Sequence, residues 1–456
     1  MSGSLAGLLY LQVVYAAIGV GLVALLGLIP SRRALLPQLG LAYMAGVASV
    51  GILAADLALA DVGLGLVELT LLAVVLLGLG LWRTRGAEAV ERSRPSRLQL
   101  AGAAGAGLAL VVLLGHAARA LAVRPLLEFD SWAIWGLKGR ALYELGGTGN
   151  PVFTSDQYPP LQHPLVLPSL EAIAARAMGA FDGGLMHVQF VFLAAGFAWA
   201  LWSLLRPRVA PLPAALTVLA VLAAKPVLEQ LGTALADVPL AFFVALGLVA
   251  LARWLATGER APLVYGALFL GTAAITKSEG MMFALAAFVA LGAAAALFAT
   301  ARLRGAEAAA LFVVAAILPW RIFVAVHHLP VAEYRFGDLV SPGYLADHSD
   351  RAGPAASGLL ERIGSGGWGL LLALLALGLA AALLARSYAL AGFALAWLLL
   401  SYLGLVLIYW ISNLPIDLAL HWSGDRTIIT LVVAGAALAP LLAAEAWPSA
   451  GAWRRR

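Results

Sequence analysis

The sequence predicts an all-α integral membrane protein, a polytopic bundle of about thirteen transmembrane helices. Three observations carry that reading. Of the 456 residues, 62% are hydrophobic and only 12% charged, whereas soluble domains carry about a quarter charged residues. Apolar runs long enough to cross a bilayer recur from end to end, which excludes a single anchor on a soluble body. Lys and Arg gather in short loops between those runs, where they set orientation, so the formal charge of +5 gives no reason to expect a nucleic-acid partner. Cysteine is absent, which rules out disulfides, thiol catalysis and thiolate metal sites.

The elements follow in order. Spans are expected near residues 5–29, 36–60, 62–82, 98–121, 184–205, 212–231, 237–256, 262–277, 279–300, 307–326, 366–385, 389–411 and 427–446. The opening MSGSLAGLLYLQ lacks a charged leader, so the first run is expected to stay as a helix. Basic loops at 83–97, 206–208, 256–260, 299–305 and 385–387, with the tail WRRR, fall on one side, which the positive-inside rule assigns to the cytoplasm. The other side receives 122–183, 225–236, 276–280, 327–365 and 413–425. Segment 163–180 is apolar but carries Glu171, Arg176 and two prolines, and is expected as an interfacial helix. No internal repeat or flexible linker divides the chain. Its parts are N-terminal helices with a basic loop (1–97), a core (98–446) bearing external loops 122–183 and 327–365, and a basic cytoplasmic tail (447–456).

The chemistry gathers on the external side. The stretch EFDSWAIWGLKGRALYELGG (128–147) places three acids, two bases and two tryptophans directly after an apolar run. As one α-helix it would set Asp130, Ile134 and Lys138 on one stripe, with the charges about 12 Å apart. Trp132, Trp135 and Tyr143 suit headgroup depth, so this helix is expected to lie flat on the membrane. Asp237 stands at the outer end of the seventh span, Lys277 and Glu279 in a tight turn, and His421, Asp425 and Arg426 just before the last span. Charge at a membrane boundary is costly and marks function by default. The turn YPPLQHPL presents Tyr158 and His163, and Arg321 interrupts an apolar run. Each alone reads equally well as a local ion pair, a cap or a plain turn; their shared side argues for a site. His327 and His328 are adjacent and cannot share a helical face. No cofactor is required, and a divalent metal finds no ligand spacing beyond the lone pair Glu128 and Asp130.

These motifs, in this order, resemble the GT-C superfamily of membrane glycosyltransferases. They are the acids Glu128 and Asp130, W-x-x-W-x-x-K-x-R-A-L (Trp132 to Leu142), YPPL (Tyr158 to Leu161), ADVPLAFF (Ala236 to Phe243), TKSEG (Thr276 to Gly280) and GDR (Gly424 to Arg426). The likeness is strongest to the bacterial relatives of dolichyl-phosphate-mannose protein mannosyltransferases and of lipid A aminoarabinose transferases, over about residues 98–430. It implies a sugar transfer with inversion, from a polyprenyl-phosphate donor to a glycan, lipid or protein acceptor, at the outer face of a bacterial cytoplasmic membrane and among its lipids. Asp130 then resembles the general base. Arg426, and after it Lys277, would bind the lipid phosphate, assisted by Lys138 or Arg140. Glu128, Asp237, Glu279, His163, Tyr158, Trp135 and His421 would contact sugar or acceptor. The chain departs from many relatives in having four apolar runs before the first large loop and a Phe between the two acids.

Two other classes fit the composition. A transporter or flippase of an amphiphilic lipid would show acids and broken helices near the bilayer middle, for which Asp56 is the nearest candidate. A scaffold for other envelope proteins would use the external loops as docking surfaces.

Overall fold

The computed structural model describes residues 3–29, 34–84, 95–155, 162–329, 334 and 336–446. Their regular structure is helical, apart from one antiparallel bridge between Tyr334 and Ser412. The chain opens with α1 (Leu5–Leu25), α2 (Leu39–Leu59), α3 (Leu66–Arg83) and α4 (Arg97–Leu121). Three short helices follow, α5 (Gly136–Leu145), α6 (Pro151–Thr154) and α7 (Val166–Met178), and then α8 (Gly183–Leu205). The centre holds α9 (Pro211–Ala223), α10 (Lys225–Leu231), α11 (Asp237–Thr257), α12 (Arg260–Ala274), α13 (Ser278–Phe298) and α14 (Leu303–Val326). The chain closes with α15 (Pro342–Asp347), α16 (Ala352–Ser365), α17 (Gly369–Leu384), α18 (Tyr388–Trp410) and α19 (Ile416–Ala446).

Ten helices among the described residues are long and apolar enough to cross a membrane, and two bent pairs raise the number to twelve. The pairs are α9 with α10, bent by 59°, and residues 349–365 with α17, bent by 99°. The protein is thus an all-α polytopic membrane protein. The span expected at 262–277 is α12, whose 15 residues fall short of the roughly 20 a straight crossing needs.

Small residues set the packing. A Cβ on Gly19 would lie 1.8 Å from the Ala42 carbonyl oxygen, and one on Gly46 would lie 2.0 Å from that of Tyr15, so α1 and α2 touch backbone to backbone. Lipid gives apolar helices no hydrophobic reason to associate, and such close contact takes its place. Gly7 does the same between α1 and α7, where a Cβ would meet the Ala177 oxygen at 1.9 Å.

Segment 163–180, expected as an interfacial helix, is covered by protein. Its helix α7 is buried along almost its whole length under α1, α2, α5 and α8. Pro168 sits in its first turn, where a missing N–H breaks no helical bond. Arg176 donates to the carbonyl oxygens of Leu64 and Leu142 at 2.6 and 2.7 Å, which ties the start of α3 to α5. Asp61 accepts the Gly149 N–H at 2.6 Å. The N-terminal helices thus brace the segment that follows α4.

The last helix also differs from expectation. It starts at Ile416, not near 427, and so contains His421, Asp425 and Arg426 within its first three turns. Hydropathy drops over HWSGDR, but the helix continues through it, and the hydroxyls of this turn find partners along it, Ser423 donating to the Ala419 oxygen and Thr427 to the Ser423 oxygen. Asp56 lies three residues from the end of α2, half-buried, not at the middle of that helix.

Candidate functional site

The site begins where α4 ends. Arg124 pairs with Glu128 at 2.6 Å, and the Glu128 carbonyl oxygen accepts the Ser131 hydroxyl at 2.6 Å, which turns the chain into the next helix. That helix opens with a π-turn over Ser131–Trp135, closed by the Gly136 N–H donating to the Ser131 oxygen. Only glycine fits at this closure, since a Cβ on Gly136 would lie 2.6 Å from the same oxygen. A π-turn inserts one residue and changes the phase of everything before it. Asp130 therefore shares its face with Ile134 and Trp135, and the stripe expected to join Asp130 to Lys138 does not form.

That face lines a cavity of about 760 Å³. From distant parts of the chain come Glu128, His163, Asp237, Lys277, Glu279 and Arg426, together with Tyr409 and Ser423. Phe129 and Trp422 stand at its edge, more than half exposed.

Three short contacts organise the charges. Arg426 meets Asp130 at 2.5 Å, and Lys277 meets Asp237 at 2.8 Å and Glu279 at 2.9 Å. The α12–α13 turn can present Lys277 because Gly280 packs onto the Ala273 oxygen, where a Cβ would come within 1.9 Å. Asp237 and Glu279 lie in the first turns of α11 and α13, where helix dipoles favour negative charge. Burial pulls the Lys277 ammonium toward neutrality, but Asp237 and Glu279 outweigh it and hold the group charged, against Arg426. Among the described residues, Glu128 Oε2, Glu279 Oε2 and Arg426 Nε are buried without a hydrogen-bond partner.

His163 forms part of the wall. Its ring lies 5.0 Å from that of Trp135, and its Nδ1 is 3.3 Å from the Ser278 hydroxyl. Burial, then the charges of Lys138, Lys277 and Arg426, push its pKa well below the usual histidine range, so the imidazole is neutral.

Other expected residues fall elsewhere. Lys138 is 1% exposed and sits behind the cavity, donating to the His163 carbonyl oxygen at 2.9 Å. Burial lowers its pKa to about 7. Arg140 points to a separate hollow and pairs with Glu144 at 2.8 Å. His421 is exposed on α19 and outside the cavity lining, as is Arg321 on α14. Tyr158 lies outside the described residues.

Several lining residues escaped the sequence reading, namely Gln230, Thr233, Tyr409, Ser423 and Thr427. The Tyr409 hydroxyl lies 2.8 Å from that of Ser423 and 3.2 Å from that of Thr427. The i, i+4 spacing of the last two is visible in the sequence but has meaning only once α19 is known to start at Ile416. Among the described residues no three His, Asp or Glu side chains gather as a metal site. The pair considered for a divalent ion is already engaged, Glu128 by Arg124 and Asp130 by Arg426. No family of known proteins, no curated protein and no solved structure matches the chain.

Proposed function

We propose that the protein is an inverting glycosyltransferase that moves a sugar from a polyprenyl-phosphate donor to an acceptor hydroxyl at the outer face of the cytoplasmic membrane. One observation carries the reading. A single cavity collects a carboxylate in contact with an arginine, a second cation held by two acids, and a neutral histidine, beside an edge of exposed aromatic rings. Such a cavity suits a molecule with a charged head, several hydroxyls and a lipid tail.

In this reaction the acceptor oxygen attacks the anomeric carbon from the face opposite the phosphate. Its proton passes to Asp130, the bond from carbon to phosphate oxygen breaks, and the electron pair stays on that oxygen. A well-placed base supplies roughly 10²- to 10⁴-fold. Arg426 offers a planar fork of N–H donors to the leaving phosphate, and Lys277 adds a fixed positive charge. Asp237 and Glu279 orient Lys277 and accept hydrogen bonds from sugar hydroxyls, and His163 faces the acceptor. Lys138 and Arg140 do not line the cavity, so this reading gives them no direct contact with the donor.

A second reading, a transporter of an amphiphilic lipid, draws on the 59° break between α9 and α10, beyond which Gln230 and Thr233 line the cavity. The experiment that separates them is sugar release or transfer from a panel of polyprenyl-phosphate sugars by detergent-purified protein, wild type beside Asp130→Asn, with and without chelator. Release that disappears in the variant supports the transferase. Transport of a lipid-linked sugar across vesicles that survives Asp130→Asn, with no release from any donor, would sink it.

A further inference from the structure

The cations lining the cavity are both already paired with acids. Lys277 and Arg426 face Asp130, Asp237 and Glu279, and each cation already touches a carboxylate. A phosphate that binds Lys277, or the Nη2 corner of Arg426, must displace an acid. The two cations are not equally open to this. The Lys277 side chain is 8% exposed and held by two carboxylates at once. The Arg426 side chain is 19% exposed, makes its short contact with Asp130 alone, and keeps its Nε without a partner. Asp130 in turn is 23% exposed and stands at the N-terminal end of its helix, immediately before the π-turn.

We infer that a lipid phosphate enters this cavity by exchange, taking the place of Asp130 on the Arg426 guanidinium and thereby releasing the Asp130 carboxylate. The role of the released carboxylate as a base rests on the transferase reading; the exchange itself does not. Phosphate oxygens match the guanidinium fork at least as well as a carboxylate does. Repulsion between the seated phosphate and the displaced acid then turns Asp130 away from Arg426. The consequence is order. With no donor bound, the proton acceptor is occupied by Arg426, and an acceptor hydroxyl is not activated; a seated donor phosphate frees it.

The exchange gives an unusual sign. Removing an acid that only helps catalysis can raise phosphate affinity just by lifting a general repulsion, which does not need Arg426, whereas removing a competitor raises it through Arg426. The test measures binding of a sugar-free polyprenyl monophosphate, and separately of inorganic phosphate, to full-length protein in detergent. Wild type is compared with Asp130→Asn, with Asp130→Ala, and with Asp130→Asn combined with Arg426→Gln. A hydrogen bond to a charged group is worth enough that both single variants should bind the lipid phosphate about tenfold or more tightly. The gain should vanish in the double variant. Unchanged or weaker binding by the single variants, provided they elute as monodisperse protein, overturns the exchange. So does a gain that persists without Arg426. A gain seen with inorganic phosphate alone overturns the lipid carrier as the ligand. Because sugar transfer is not read, the gain without any transferase activity would remove the proposed reaction and leave the exchange standing.

Discussion

Two lysines, Lys277 and Lys138, are buried close to the same histidine and behave in opposite ways. Lys277 is 6% exposed and Lys138 1%. Lys277 has carboxylates at 2.8 and 2.9 Å, which hold its charge against burial. Lys138 donates to the neutral carbonyl of His163, and burial brings it down to about 7 from a lysine's ordinary 10.5. One region is an ion cluster open to a cavity; the other is a packing seam between α5 and α7, where Glu171 is also buried and held protonated by burial. A buried charge in a membrane protein is thus not by itself a site. What distinguishes a site is charge that stays ionised beside space for a ligand.

The comparison can be broken in four places. The largest effect is expected on the cavity side, where Asp130→Asn should lower sugar transfer by roughly 10²- to 10⁴-fold while the protein keeps its thermal unfolding midpoint within a few degrees. Next, Lys277→Met strands two buried acids and should cost about 3–5 kcal/mol of stability. Adding Asp237→Asn and Glu279→Gln should recover much of that loss, because the stranded charges are then gone. Unfolding in detergent reads both, and a Lys277→Met protein as stable as wild type would dissolve the ion-cluster description.

The two lysines should also differ in the sign of their pH dependence. For Lys138 the folded value lies below the unfolded one, so between about 7 and 10.5 the unfolded chain binds more protons and stability rises with pH. The slope this group contributes is about 1.4 kcal/mol per pH unit. Lys138→Met should flatten the curve by that amount relative to wild type between pH 7 and 10. For Lys277 the folded value lies above the unfolded one, so its contribution is complete below 10.5 and is lost only above it. Stability curves of the two variants that run parallel from pH 7 to 10 would remove the distinction. The smallest effect is expected in the seam. A Cβ at Gly139 would lie 2.6 Å from Glu171 Oε2 and 2.9 Å from its Cβ, so Gly139→Ala should cost about 1–3 kcal/mol without a change in ligand binding.

Much of the architecture was legible because lipid constrains it so strongly. A backbone in hydrocarbon must satisfy its own hydrogen bonds, so long apolar runs have little choice but to be helices. The acids and bases at helix ends were legible for the same reason, since charge there is rare. The failures are local and physical. In segment 163–180 the charges alone did not show that Glu171 is buried beside Gly139 or that Arg176 donates to two carbonyls. The start of α19 was missed because hydropathy measures an average around the helix, while HWSGDR carries a serine hydroxyl that bonds within the helix and an arginine that turns to a cavity.

By itself, then, the sequence determined an all-helical membrane chain with its chemistry concentrated in a few short stretches. The tertiary structure alone decided which of those stretches meet. The π-turn after Asp130 rotates that carboxylate away from Lys138 and toward Arg426, 296 positions along the chain. Packing on α7 takes Lys138 out of the site, and the tight turn at Gly280 brings Lys277 between two acids. The physical reason is range. Burial in lipid is a property each segment carries in its own composition, whereas an ion pair exists only once two distant backbones have been brought within about 4 Å of each other.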